Sequence, residues 1–170
     1  AECLVMRVGD DVGGDRLSDR IFDEDTPFIV EDGKQARYAI DKLVLNAAEQ
    51  GVRGVVICNT MIYGRGAGLH ADSVQIPPLV EQARKSGVVR VVGKGVNRWS
   101  NVHIEDVVEL YPLALEPAPA GAFYFVENGE ASFAEIGAAI AHRLGLGPVQ
   151  SWTVEEATRE WGQGHARYSF

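Results

Sequence analysis

The succession around Gly51 constrains this chain more than any other feature. A stretch with helical periodicity stops at a glycine, and a short apolar run, residues 52–58, follows at once. A strand that is apolar on both faces is what a parallel sheet covered by helices requires. Residues 3–8 form a second such run, with Arg7 as its one dissonant side chain. Parallel neighbours cannot be joined by a hairpin, so strand 3–8, helix 34–50 and strand 52–58 predict a right-handed crossover. The helix should turn Ala36, Ile40, Leu43, Ala47 and Ala48 to the core, and Gly51 should end it.

The rest of the chain repeats the alternation. Residues 9–33 are polar and acidic, without sustained periodicity, and predict a long loop of the kind that is usually functional or mobile. A glycine-rich loop runs from Tyr63 to about Gly68. A helix over 74–85 follows, its start shaped by Pro77 and Pro78, and 88–92 predicts a third strand. A helix over 106–115 should be kinked or restarted at Pro112, and 122–126 predicts a fourth strand. Ser132 and Glu135 have the spacing of a capping box, with Phe133, Ile136, Ile140 and Leu144 continuing at helical spacing to Gly145. Thr153 and Glu156 open a last helix in the same way. At 170 residues the chain suits one α/β domain with a sizeable buried core.

Charge narrows the function classes. The net charge is -8 at pH 7, from interspersed carboxylates, so nucleic acid and anionic membrane surfaces are expected to be repelled, not bound. Cys3 and Cys58 each sit in an apolar run, the pattern of reduced, buried thiols, and this points to a cytoplasmic setting. No apolar run approaches the roughly 18 residues of a membrane helix. His70, Cys58 and the scattered carboxylates show no metal-ligand spacing, and neither a Gly-x-Ser-x-Gly elbow nor a P-loop is present. Ala1 leads almost directly into the first strand, as in a chain continued from a longer one.

Two motifs carry chemistry: Ile62-Tyr63-Gly64-Arg65-Gly66, and Gly95-Val-Asn-Arg-Trp-Ser-Asn-Val-His-Ile-Glu-Asp106. Together they resemble the second half of the extended short-chain dehydrogenases, the NAD-dependent epimerases and dehydratases, and in particular an atypical branch of that family. The resemblance covers most of the chain and is strongest from Arg37 to Gly145. It implies a Rossmann-like parallel sheet with flanking helices, incomplete at its N-terminus, plus a small α/β portion on the substrate side. It also implies NAD or NADP as cofactor, provided that a nucleotide-binding half lies outside these residues. None is expected to bind this chain alone, because Gly9-Asp-Asp-Val-Gly-Gly14 is flanked by aspartates that would repel a pyrophosphate.

In that family a Tyr and a Lys four residues apart, with a Ser, perform proton transfer during hydride exchange. Tyr38 and Lys42 have this spacing, which is also that of an ordinary helix pair. Lys42 lies 21 residues before Tyr63, whereas the family leaves about 25 between its Lys and that motif. A second register matches Asp41-Lys-Leu-Val-Leu45 to the segment after the family's pair. It puts Gly33 at the Tyr position, Arg37 at the Lys position and Gly9 at the Ser position, so all three are replaced. A guanidinium does not release a proton near neutral pH, so Arg37 is a poor substitute for Lys. Tyr63 stands where open α/β sheets bind ligands, or simply anchors its loop. Arg98 is suited to a carboxylate or phosphate, and Trp99 to stacking or to plain packing. Asn59 replaces a proline of the family's nicotinamide pocket and is a candidate cofactor contact. Asp106 is expected to cap the helix that follows it or to charge its N-terminus, and His103 to be structural.

Two functions follow. The first is an NAD(P)-dependent epimerase/dehydratase-like oxidoreductase, or the C-terminal portion of one, acting on a small hydroxyl, carbonyl or sugar-nucleotide-like substrate. The second is a catalytically degenerate relative that binds a small ligand or a partner chain. An incomplete sheet would expose an apolar edge, which favours self-association, as in a homo-oligomer, or disorder.

Overall fold

The computed structural model describes residues 21–27, 30, 35–69 and 71–166. The predicted strand 3–8, together with Gly9, Gly33 and His70, lies outside the described residues.

Two parallel strands form the centre of the first layer: β1 (Val55–Asn59) and β5 (Ala122–Val126), in register from Val55 opposite Ala122 to Asn59 opposite Val126. Helix α1 (Gln35–Asn46), extended by a 3-10 turn (Ala47–Gln50), covers one face. There Tyr38, Val44 and Leu45 pack on Val56, Cys58, Phe123 and Phe125. Helix α3 (Ile104–Leu115) covers the other face, where Val107, Leu110 and Ala114 meet Ile57, Tyr124 and Val126. Alternate residues of β1 thus serve opposite layers, the reason this strand reads as apolar throughout.

The inward face of α1 differs from the one its periodicity suggested. Ile40 and Leu43 are 49% and 71% exposed, whereas Asp41 is buried at 3%. The helix carries apolar residues on two sides, and the sheet engaged the side of Tyr38, Val44 and Leu45. The strand also begins later than expected. Val52 is exposed, and the Arg53 guanidinium instead donates to the carbonyls of Leu115, Glu116 and Ala118, tying this loop to the end of α3. Gly54 has no room for a side chain, since a Cβ there would run into the Val44 carbonyl.

A second group of elements follows β1. Strand β2 (Met61–Tyr63) pairs in parallel with β4 (Arg98–His103), and β4 pairs antiparallel with β6 (Glu130–Ser132). Strand β3 (Arg90–Val92) pairs in parallel with β7 (Gln150–Trp152). Helices α2 (Ile76–Ser86), α4 (Phe133–Leu144) and α5 (Val154–Ala166) pack around them. Periodicity revealed all three helices and β3, but not β2, β4, β6 or β7. Three of these four strands are three residues long, and β4 alternates too weakly to stand out.

Phe133, 1% exposed, sits at the centre of this second core among Leu79, Ala83, Val89 and Ile140. Burying such a side chain contributes about 1.5–3 kcal/mol. Both capping boxes form: Ser132 Oγ accepts from the Glu135 N–H at 3.1 Å while Glu135 takes the Ser132 N–H at 2.7 Å, and Thr153 and Glu156 do the same. Asp106 does not cap α3 but stands with Glu105 in its first turn, where a negative charge suits the helix N-terminus. His103 is the cap, its Nδ1 accepting from the Glu105 N–H at 3.3 Å, and Asp106 instead accepts from Asn128 Nδ2 at 2.9 Å. The helix begins two residues earlier than the sequence suggested, which moves Asp106 inside it.

Candidate functional site

Both strands of the first layer end, at Asn59 and Val126, where the chain passes to the second group of elements. Thr60 holds this junction with a hydrogen bond from its hydroxyl to the Val126 carbonyl at 2.7 Å. Ligands of open α/β sheets bind beyond such carboxyl ends. A cleft of about 810 Å³ opens there, starting two residues past Asn59.

Met61 of β2, Ile76, Pro77 and Val80 of α2, Ala131 of β6 and Ile136 of α4 form its apolar walls. Tyr63, Arg65, Asp72, Glu81, Arg84 and Asn101 supply the polar groups. The local sequence explains the arrangement. Pro77 and Pro78 start α2 without losing a needed donor. Ile76, Val80, Glu81 and Arg84 then recur at helical spacing along the side that faces the cleft.

Tyr63 is 39% exposed and stands edge-on to His103, ring centroids 5.2 Å apart, directly across from it in the β2–β4 pairing. Gly64 is required next: its φ is +99°, and a Cβ there would lie 2.5 Å from His103 Nε2. The Tyr-Gly pair therefore packs against the imidazole that caps α3, joining the two motifs found in the sequence.

Arg98 and Trp99 follow a different course. The Arg98 Nε lies 2.8 Å from Glu130 Oε1 and its Nη1 lies 3.0 Å from Glu135 Oε2. The hydrogen bond it donates to Glu130 and the nearby carboxylates hold the guanidinium pKa above its ordinary value. The Glu135 carboxyl is held below the usual range, first by the Ser132 backbone N–H, then by the Ser132 hydroxyl and by Arg98. Trp99 is half-buried and meets Phe133 edge-on at 6.3 Å. The neighbouring Asn97 is 1% exposed and has no partner among the described residues for either side-chain polar atom.

Arg37 is exposed on α1, and the Lys42 ammonium lies over the Tyr38 ring, 5.6 Å from its centroid. None of these three lines the cleft. Asn59 is more informative: its side-chain Oδ1 is buried and meets no donor among the described residues. Such an atom costs about 1–3 kcal/mol unless something pairs with it. Asp72, Glu81, Arg84 and Asn101 had escaped attention in the sequence; the i, i+3 pair Glu81 and Arg84, beside Val80 on one helix, was the available signal. Among the described residues no group of three His, Cys, Asp or Glu could hold a metal, and no helix is long and apolar enough to cross a membrane.

Parallel strands flanked by helices, with a cleft at their carboxyl ends, make this a Rossmann-like α/β protein. The chain belongs to the NAD dependent epimerase/dehydratase family, whose family model matches residues 20–125, more than half of it. An uncharacterized protein from Schizosaccharomyces pombe is 36% identical over 120 residues, 69% of this chain and 39% of that protein. A 2-alkyl-3-oxoalkanoate reductase from Stenotrophomonas maltophilia is 34% identical over 106 residues, 56% of this chain and 30% of the reductase. A dTDP-glucose 4,6-dehydratase from Bacillus anthracis, solved in complex with NAD, superposes with a TM-score of 0.67 at 20% identity, over 85% of this chain and 47% of the dehydratase. The chain thus spans less than half the length of each of these relatives. Nothing in these matches supports the catalytically degenerate alternative.

Proposed function

We propose that this chain supplies the nicotinamide-side pocket and the substrate cleft of an NAD(P)-dependent oxidoreductase or epimerase acting on a small hydroxyl or carbonyl compound. The observation that carries this reading is the buried Oδ1 of Asn59, without a partner among the described residues, at the carboxyl end of β1 and two residues before Met61 of the cleft wall. That atom fits an amide N–H of a nicotinamide carboxamide. The described residues provide no glycine-rich cradle for a pyrophosphate, so the fit extends only to the nicotinamide end. When bound, the dinucleotide would accept or deliver the hydride.

The chain's own residues would then hold the substrate and manage the proton. The apolar walls exclude water from the reacting carbonyl, and Tyr63, at the mouth, offers a hydroxyl to the substrate. Arg98 would act at one remove, setting the position of β6, which borders the cleft at Ala131. Trp99 would position that wall through Phe133. The replaced positions Gly9, Gly33 and Arg37 leave the proton donor to another group. Tyr38 and Lys42 stand outside the cleft and are the less favoured pair. The Stenotrophomonas relative, a reductase by name, agrees with carbonyl chemistry. We further read residues 1–170 as one α/β domain, acting in the cytoplasm on a small molecule, as a homo-oligomer and without nucleic acid or membrane partners.

Saturation-transfer NMR with nicotinamide mononucleotide tests the reading. Transfer to the nicotinamide protons is expected with the natural chain and should be lost in Asn59→Leu. Transfer that survives in the variant, or is absent in both, would overturn it.

A further inference from the structure

We propose that the cleft selects an apolar carbonyl or hydroxyl substrate with a single carboxylate head and does not accept a nucleoside diphosphate. The inference rests on the cleft being the substrate site, as proposed above, and deepens that reading.

The first support is charge. The groups that line the cleft include two guanidiniums, Arg65 and Arg84, and two carboxylates, Asp72 and Glu81, so their formal charges cancel. None of the four side chains forms a salt bridge or hydrogen bond among the described residues, so the carboxylates remain free to repel an anion. A diphosphate carries at least two negative charges and is held by cations that outnumber nearby carboxylates, typically through bidentate arginine. Arg98, on neighbouring β4, cannot supply the deficit, because Glu130 and Glu135 already engage it. A single carboxylate needs just one free guanidinium, and Arg84, exposed on α2 one turn from Val80, is placed to provide it.

The second support is the wall. Met61, Ile76, Pro77, Val80, Ala131 and Ile136 come from four different elements and make much of the lining apolar. A sugar hydroxyl set against these residues would lose its water partners and gain none. An alkyl or aryl body would gain affinity from the same lining. An apolar lining combined with balanced charge suits a ligand with an apolar body and one charged end.

Methyl NMR of the 170-residue chain, observing Val80 and Ile136 during titration with 3-hydroxyoctanoate or with UDP, tests the inference. Both methyls should shift with 3-hydroxyoctanoate, at an affinity at least about tenfold above that for UDP. Arg84→Ala, an exposed position, should weaken 3-hydroxyoctanoate by a similar factor and leave 1-octanol unaffected. UDP binding at these methyls as tightly as 3-hydroxyoctanoate would overturn the substrate class and leave the cleft as the substrate site. If neither compound shifts them, the cleft reading fails and the inference with it.

Discussion

The two halves of this molecule are built on different terms. Around β1 and β5, consecutive residues of one strand serve two helical layers, and the buried polar atoms without a partner among the described residues are Asn59 Oδ1 at the strand's end and Asp41 Oδ2 on the covering helix. Around β2, β4 and β6, short strands are held by side chains that bridge elements: Arg98 to Glu130 and Glu135, Ser132 to Glu135, Tyr63 to His103. The first half resembles a platform, made regular by packing. The second is a wall shaped by specific polar contacts, and most of the cleft belongs to it. A binding site can vary in such a wall without disturbing the platform, the usual division between scaffold and specificity in α/β proteins.

The contrast can be broken most forcefully at Phe133. Phe133→Ala should cost about 3–5 kcal/mol, read by chemical denaturation. If the halves fold as one unit, a single transition moves; two separate transitions would show that the wall unfolds apart from the platform. Gly54→Ala probes the platform, where the new methyl meets the Val44 carbonyl. The backbone must shift, and a loss of about 1–3 kcal/mol is expected. A neutral result would show that the α1–β1 contact is looser than its geometry.

Asn59→Leu sharpens the comparison from the other side. Removing a buried acceptor that has no partner should leave stability unchanged or raise it by about 1 kcal/mol, while nicotinamide binding is lost. A marked destabilisation would mean that Oδ1 pairs within the protein after all.

The smallest effect concerns pH. The Glu135 carboxyl is held below its ordinary 4.5 in the folded chain, so the folded state binds its proton less readily than the unfolded state does. Its contribution to stability is therefore fully present above about pH 4.5 and fades as pH falls through the lower, folded value. Glu135→Gln should be less stable than the natural chain at neutral pH, with the difference shrinking as the pH falls below 4.5 in acid unfolding curves. A difference that stays constant across that range would mean that the charge of Glu135 contributes nothing.

Much of the platform was legible from local chemistry. Gly51 and Gly145 ended their helices in left-handed conformations, as a glycine after the last turn should. Strand β5 matched its expected bounds, and the Ser132–Glu135 and Thr153–Glu156 caps formed as their spacing implied. The wall was less legible. Arg98 and Trp99 stood out by residue type, but their partners Glu130, Glu135 and Phe133 lie more than 30 positions away, beyond the reach of any local pattern. The cap of α3 passed from Asp106 to His103 because the helix starts two residues early, a margin that sequence patterns do not resolve.

By itself, then, the sequence determined the alternation of strands and helices, the helix ends and the two motifs of the family, because hydrophobic period and capping act over a few residues. Tertiary structure alone decided which face of α1 is buried, whether Arg98 is free or engaged, and which charges stand together at the cleft. Those outcomes depend on groups far apart in the chain meeting at one place, where packing and pairing compete with water.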